Sequence, residues 1–256
     1  MTATSVEPIP DHPAAAVETG TERVLALADV HAGVERAILA DEGIRIDSRA
    51  PERRERILGL VERTDPDRLV VLGDLMNSIG DPGGAERGEI EVLVERLPVP
   101  VTVVRGNHDG AIEGWLPDAE VTVTDARGIR IGGVGFAHGH TWPAPEVVTA
   151  DVVCVGHEHP CVRLTDEVGN SRVERAWLRG RLDPSPFDDR SEYEVVEPDG
   201  WPDAELVVFP AFNDLSVGTW VNPPDSDFLC PFLPEALENG EAYLVDGTRL
   251  GRYDRV

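Results

Sequence analysis

A chain of 256 residues with 41% hydrophobic content is long enough for one large domain with a real core, or at most two small ones. Its formal net charge is -25, from 48 acidic against 23 basic residues, and every basic residue is arginine. Such a surface repels polyanions at low ionic strength and argues against a broad basic track for nucleic acid. It suits a halophilic source, where molar salt cuts the Debye length to roughly 3 Å.

Residues 1–20, MTATSVEPIPDHPAAAVETG, are polar and rich in proline and alanine. They lack the basic-then-apolar order of a signal peptide, and no later run approaches the ~20 apolar residues of a bilayer span. They read as a disordered tail ahead of one domain over 21–256, with a cytoplasmic location and no membrane partner. Residues 23–28, RVLALA, predict a short buried strand ending at Asp29. Residues 51–63, PERRERILGLVER, place Pro51 near the start and apolar residues at helical spacing, an amphipathic helix. RLVVL at 68–72 predicts a second strand, ending at Gly73-Asp74. The loop SIGDPGG follows, and residues 85–96 predict a second helix. PVPVTVV is a third strand that runs into RGNHDG. This β-α-β-α-β order predicts a parallel sheet covered by helices.

The second half changes character. Residues 120–124 and 128–137 predict short strands around a turn at Ala126-Arg127-Gly128, and DVVCV at 151–155 a buried strand ending at Gly156. Residues 161–165 and 171–178 predict a hairpin around Glu167 to Asn170, and 205–209 and 241–245 late strands. Between them, residues 183–204 are acidic and proline-rich and read as a surface excursion. One α/β domain with two packed sheets is the simplest account.

The polar residues cluster where strands end: Asp29-Val30-His31, Gly73-Asp74, Gly106-Asn107-His108-Asp109, His138-Gly139-His140 and Gly156-His157-Glu158-His159. Six of the seven histidines lie in these segments, and only His12 does not. In open α/β sheets the crevice outside the carboxyl ends of the strands is where ligands bind, so the five segments could converge on one patch. Imidazole mixed with carboxylate and amide oxygen suits Mn²⁺, Fe or Zn²⁺. Cys154, Cys161 and Cys230 form neither a disulfide framework nor a Cys-x-x-Cys zinc pair. The ligand positions are too many for one ion and fit two, bridged by a carboxylate, which is a geometry that clamps attacking and leaving oxygens in phosphoryl chemistry.

The series ADVH, GDL, GNHD, HGH and GHEH, in that order across residues 29–159, resembles the calcineurin-like metallophosphoesterase family. The resemblance implies a two-sheet β-sandwich flanked by helices on both sides, the four-layer αββα fold. It implies hydrolysis of phosphomonoesters or phosphodiesters with two divalent ions, Mn²⁺ first and Fe, Zn²⁺ or Ni²⁺ as alternatives. Carried over by position, Asp29, His31 and His159 hold the first ion, Asp74 bridges, and Asn107, His138 and His157 hold the second. A metal-bound hydroxide would attack phosphorus in line. His108 would stabilise or protonate the leaving oxygen, and Asp109 would orient its ring, the alternative being a plain turn residue. The glycines around the NHD run would let the backbone turn tightly. In HGH the first histidine, His138, is the implied ligand; His140 is open between substrate contact, a supporting place and a plain surface residue. Arg105 is open between an acid partner and a substrate phosphate, and Glu158, between two ligands, is expected to point away.

The segments HAGVERAILADEGIRI and ELVVFPAFNDLSVGTWVN resemble the archaeal SbcD-related and bacterial DNA ligase-associated phosphoesterases, which extends the likeness over most of 23–221. That implies a DNA-repair-related nuclease acting on single-stranded DNA or DNA ends, with a helicase or ligase as partner. True SbcD nucleases carry an extra capping domain and an ATPase attachment, and a full version of these is not expected within 256 residues. The alternatives are a phosphodiesterase or phosphomonoesterase of small molecules, favoured by the acidic surface, and a non-catalytic metal-binding scaffold. The scaffold is disfavoured because no ligand and no catalytic histidine is missing.

Overall fold

The computed structural model describes residues 3–116, 121–197, 200–216, 218–223 and 226–256. The chain opens with a hairpin of β1 (Ser5–Pro8) and β2 (Ala14–Glu18), and β2 pairs antiparallel with β3 (Arg23–Leu27). This corrects the reading as a disordered tail for residues 3–20; residues 1 and 2 lie outside the described residues. Ala14, Ala15 and Val17 are fully buried, because small side chains let the hairpin lie flat between neighbouring layers. A composition that resembles a linker is here a strand whose bulk is supplied by its neighbours.

Then come α1 (Val34–Glu42), α2 (Ala50–Thr64), β4 (Arg68–Val71), α3 (Gly84–Arg96), β5 (Val101–Val103) and β6 (Val121–Val123). The sheet runs β1-β2-β3-β4-β5-β6, and β3 to β6 are parallel. Helix α2 starts with Pro51 in its first turn and buries Ile57, Leu60, Val61 and Thr64, one stripe at helical spacing. It ends at Asp65, whose left-handed backbone (φ 45°) turns its N–H onto the Val61 carbonyl.

The second sheet contains β7 (Ile129–Ile131), β8 (Val134–Ala137), β9 (Val152–Val155), β10 (Cys161–Thr165) and β11 (Ser171–Leu182). It is completed by β12 (Glu205–Val208), β13 (Leu237–Leu244) and β14 (Arg249–Arg252). The order is β14-β13-β11-β12-β9-β8-β7, with β10 paired to β11, and β8-β9-β12 are parallel. Residues 128–137 are therefore two antiparallel strands, and β6 and β7 belong to different sheets. Residue 120 lies outside the described residues. Short helices α4 (Pro145–Val148) and α5 (Ser185–Asp188) cover the outer face. The acidic segment 183–204 is pinned there by two buried rings. Phe187 meets Trp142 edge-on, and the Tyr193 hydroxyl donates to the Pro143 carbonyl at 2.5 Å. Residues 198 and 199 lie outside the described residues.

Alternate side chains sort the layers, as the period of two in a strand requires. Leu25, Leu27, Leu69 and Val71 face α2 and α3, while Val24, Ala26, Val70 and Leu72 face the other sheet. Opposite them, Cys154, Trp177, Val207 and Phe209 fill the space between the sheets, and Val153, Val155, Leu206 and Val208 face outward under α4 and α5. The result is a mixed α/β fold, two sheets face to face with helices on both outer sides, the layering that the sequence resemblance implies. Among the described residues, no helix is long and apolar enough to cross a membrane.

Candidate metal centre

The turns after β3, β4, β5, β8 and β9 meet at one end of the sandwich. Ligand atoms of Asp29, His31 and His159 lie within 4.8 Å of one another, as do those of Asp74, His138 and His157. His31, Asp74 and His108 form a third such group between them. Asp29 Oδ1 is 3.2 Å from His159 Nε2, and the Nε2 atoms of His31 and His159 are 3.3 Å apart. Asp74 Oδ1 is 3.4 Å from His138 Nε2, while Asp74 Oδ2 is 3.8 Å from Nε2 of both His31 and His108. Asp74 thus turns one oxygen to each side. Asn107 Oδ1 lies 3.1 Å from His138 Nε2.

How the backbone aims these groups differs from the sequence expectation. The residues themselves adopt left-handed backbone: Asp29 at φ 57°, His31 at 44°, Asp74 at 49°, His157 at 66° and His159 at 44°. Asp and His tolerate this region better than most residues, yet it is sparsely populated, and strain of about 1–3 kcal/mol per residue is typical of functional sites. Glycine serves a different end here. A Cβ on Gly106 would sit 2.2 Å from Asp74 Oδ1, and one on Gly73 would sit 2.4 Å from His138 Nδ1. Both make room for a ligand, and Gly73 also holds φ 78°.

Two imidazoles of the donor set are ready for divalent cations, whereas His138, against its burial, is raised to about 9 by Asp74 and then Asp29, so that it must give up a proton to bind one. Burial lowers His31 to about 4 even beside Asp29 and Asp74. Burial and His138 lower His157 to about 4 as well, so both imidazoles keep a lone pair at neutral pH. Burial opposes the charge of Asp74, but His138 and then His31 hold it below the usual carboxylate range. His138 places Nδ1 on the Leu72 carbonyl at 2.7 Å, which leaves Nε2 as the ligating atom. Oxygen and imidazole donors around buried carboxylates fit divalent ions of hard-to-borderline character, and no thiolate enters the set.

The other predicted residues fall in distinct places. His108 reaches Asp74 with Nε2, and its Nδ1 contacts the Asn77 carbonyl. Asp109 makes no hydrogen bond to that ring, contrary to the expectation that it would orient it. It is fully buried and accepts from the N–H groups of Gly106 and Met76 at 2.9 and 3.0 Å, because the tight turn after β5 curls the carboxylate back beneath the chain. Burial, then Asp74, raises it to about 6. His140 stands beside the second cluster, its ring centroid 5.2 Å from that of His138, but joins none of the three ligand groups. Arg105 pairs with Glu113 at 2.6 Å. Glu158 points away from the ligands and accepts from the N–H groups of Leu229 and Cys230.

One support was not read from the sequence. The carboxylate of Glu86, buried on α3, accepts from Asn77 N–H at 2.7 Å, Ser78 N–H at 2.9 Å and Ser78 Oγ at 2.6 Å. It therefore fixes the residue whose carbonyl meets His108. An acidic residue in the first turn of a predicted helix was the one available sign, and it is shared with many helices.

A model of the calcineurin-like phosphoesterase family matches residues 22–161, more than half of the chain and all five motifs. No curated protein matches. Among solved structures, Pseudomonas putida nuclease MPE is 19% identical with a TM-score of 0.55, over 96% of this chain and 100% of that one. YfcE, a phosphoesterase from E. coli, is 20% identical with a TM-score of 0.34, over 56% of this chain and 73% of that one. The chain belongs to the calcineurin-like phosphoesterase family, hydrolases that act on phosphoester bonds.

Proposed function

We propose that the chain is a two-ion phosphodiesterase of the cytoplasm, with nucleic acid as its substrate class and Mn²⁺ as its ion. The observation that carries this reading is the pair of separate three-ligand clusters with Asp74 facing both. Asp29, His31 and His159 would hold one ion, Asn107, His138 and His157 the other, and Asp74 would serve both. When bound, such a pair lowers the pKa of water and offsets charge on phosphoryl oxygens.

The protein's own residues then divide the work. The positive-φ turns hold carboxylates and imidazoles convergent before substrate arrives. His108 keeps Nδ1 on the Asn77 carbonyl and presents Nε2 to the site. From Nε2 it would pass a proton to the leaving oxygen, and its partly exposed edge would let solvent return one. Asp109 works on the loop backbone, holding the turn that carries Asn107 and His108. His140 stands at the rim beside the second cluster, where substrate would pass.

Nucleic acid is favoured by the likeness of residues 23–221 to the SbcD-related and DNA ligase-associated phosphoesterases, with a helicase or ligase as companion. The fold shared with a nuclease agrees. A small phosphoester is the second reading, favoured by the net charge of -25. Mn²⁺-dependent hydrolysis in high salt, run side by side on single-stranded DNA, a chromogenic phosphodiester and a phosphomonoester, separates them. Cleavage of DNA with the diester supports the first. Turnover of the small esters alone selects the second, and Mn²⁺ binding without turnover of any ester overturns both.

A further inference from the structure

The segment PAFND, residues 210–214, lies outside the family match, yet it touches the first ligand turn directly. Phe212 N–H donates to the Ala28 carbonyl at 2.8 Å and Asn213 N–H to the Asp29 carbonyl at 3.2 Å. Asn213 Nδ2 donates to the Val30 carbonyl at 2.8 Å and to the His31 carbonyl at 3.2 Å. Four consecutive carbonyls of the turn are thus held by two residues of a distant segment. The N–H groups of Asp29 and His31 go the other way, to the carbonyls of Gly73 and Asp74 at 3.1 and 2.9 Å.

We propose that Asn213 is a positioning residue for the Asp29-Val30-His31 turn and, through it, for the ion that Asp29, His31 and His159 would hold. This rests on the two-ion reading above. The turn needs such a holder because Asp29 and His31 both sit at positive φ, and a strained backbone persists only where its surroundings over-determine it.

The side chain's chemistry explains why an amide stands there. Nδ2 carries two hydrogens, one for each carbonyl, and Oδ1 accepts from Leu215 N–H at 2.8 Å. A hydroxyl has only one hydrogen, and a carboxylate would set oxygen against two oxygens. Asn213 is itself fully buried, so water cannot replace it. The segment is anchored from behind. The Arg56 guanidinium lies 3.9 Å over the Phe212 ring, and Asp214 binds Arg56 at 3.2 Å and Arg175 at 2.9 Å.

The test is a Mn²⁺ titration of the full chain, read by calorimetry and by the paramagnetic resonance of coupled ions, in wild type and in Asn213→Asp. Wild type should bind two equivalents. In folded Asn213→Asp one equivalent should weaken by about 10–100-fold, the usual range for a partner that orients ligands, and the other should stay within threefold. The coupled-pair signal should fade to that of a single ion. A merely structural role would lower the melting temperature and weaken both equivalents alike; that result, or two equivalents bound as in wild type, overturns the inference. If Asn213→Asp does not fold, Asn213→Ser keeps one donor, adds no charge and should show the same one-sided loss at smaller size. Equal weakening or none overturns the inference there too. A wild-type titration that stops short of two equivalents overturns the two-ion reading itself, and does so before any variant is made.

Discussion

The two ligand clusters are built by different means. In Asp29, His31 and His159 every member lies at positive φ, so the chain bends at the ligands themselves and the bend is held by hydrogen bonds from Asn213. In the cluster of Asp74, His138 and His157, His138 keeps ordinary backbone, and space for it is cleared by Gly73. Its ring is fixed by the Leu72 carbonyl. The first cluster is held by backbone conformation throughout; the second shares positive φ at Asp74 and His157 and adds, at His138, room and ring orientation. Geometry held by strain depends on distant support, whereas geometry held by close fit depends on its immediate neighbours.

Asp74 is where the difference should vanish, because it turns one oxygen to each cluster. Asp74→Asn should weaken Mn²⁺ at both clusters and take hydrolysis below detection, by calorimetry and initial rates. Full binding of one equivalent in that variant would show that the clusters are independent and that Asp74 serves only the second. His108→Ala comes next in size. His108 stands between the clusters, and on the proposed reading neither takes it as a ligand, so both equivalents should bind while the rate falls by about 10²–10⁴-fold. Loss of an equivalent would make His108 a ligand, as its place in the middle group with His31 and Asp74 allows. Glu86→Gln should be milder. It sets a donor against the Asn77 and Ser78 donors and lets the His108 ring drift. A fall in kcat of up to about 10²-fold, the order reached by an ångström of misplacement, is expected with Mn²⁺ binding unchanged. A rise in KM at constant kcat would mean that the loop binds substrate instead.

These variants also mark what the sequence could and could not tell. The residues that meet at the site were legible because unusual types, His beside Asp and Asn, recur where buried strands stop. The parallel core was legible because RVLALA, RLVVL and PVPVTVV are buried on both faces and read as continuous apolar runs. The hairpin of β1 and β2 was not, since alanines become a core only when another sheet supplies the bulk opposite Ala15 and Val17. Nor were the supports. Asn213 and Glu86 act on backbone groups 182 and 9 residues away, and a hydrogen bond to a carbonyl or an N–H leaves no mark on the residue that receives it. PAFND could be seen as a motif, but its task depended on which turn lay beside it.

Asp109 gives the smallest expected effect and the sharpest check on how the NHD turn works. Its two oxygens accept from Met76 and Gly106, and it makes no hydrogen bond to the His108 ring, whose Nδ1 is taken by the Asn77 carbonyl. Asp109→Asn keeps one acceptor and turns an amide toward the other N–H, leaving a buried donor unpaired at a cost of about 1–3 kcal/mol. Against that, it removes a charge that burial opposes, as the rise of this carboxyl to about 6 shows. The melting temperature should fall modestly, and hydrolysis should stay far closer to wild type than in His108→Ala. If the rate fell as far as it does without His108, the carboxylate would have to reach the imidazole during turnover, and the turn after β5 would be a moving part of the site instead of a fixed platform.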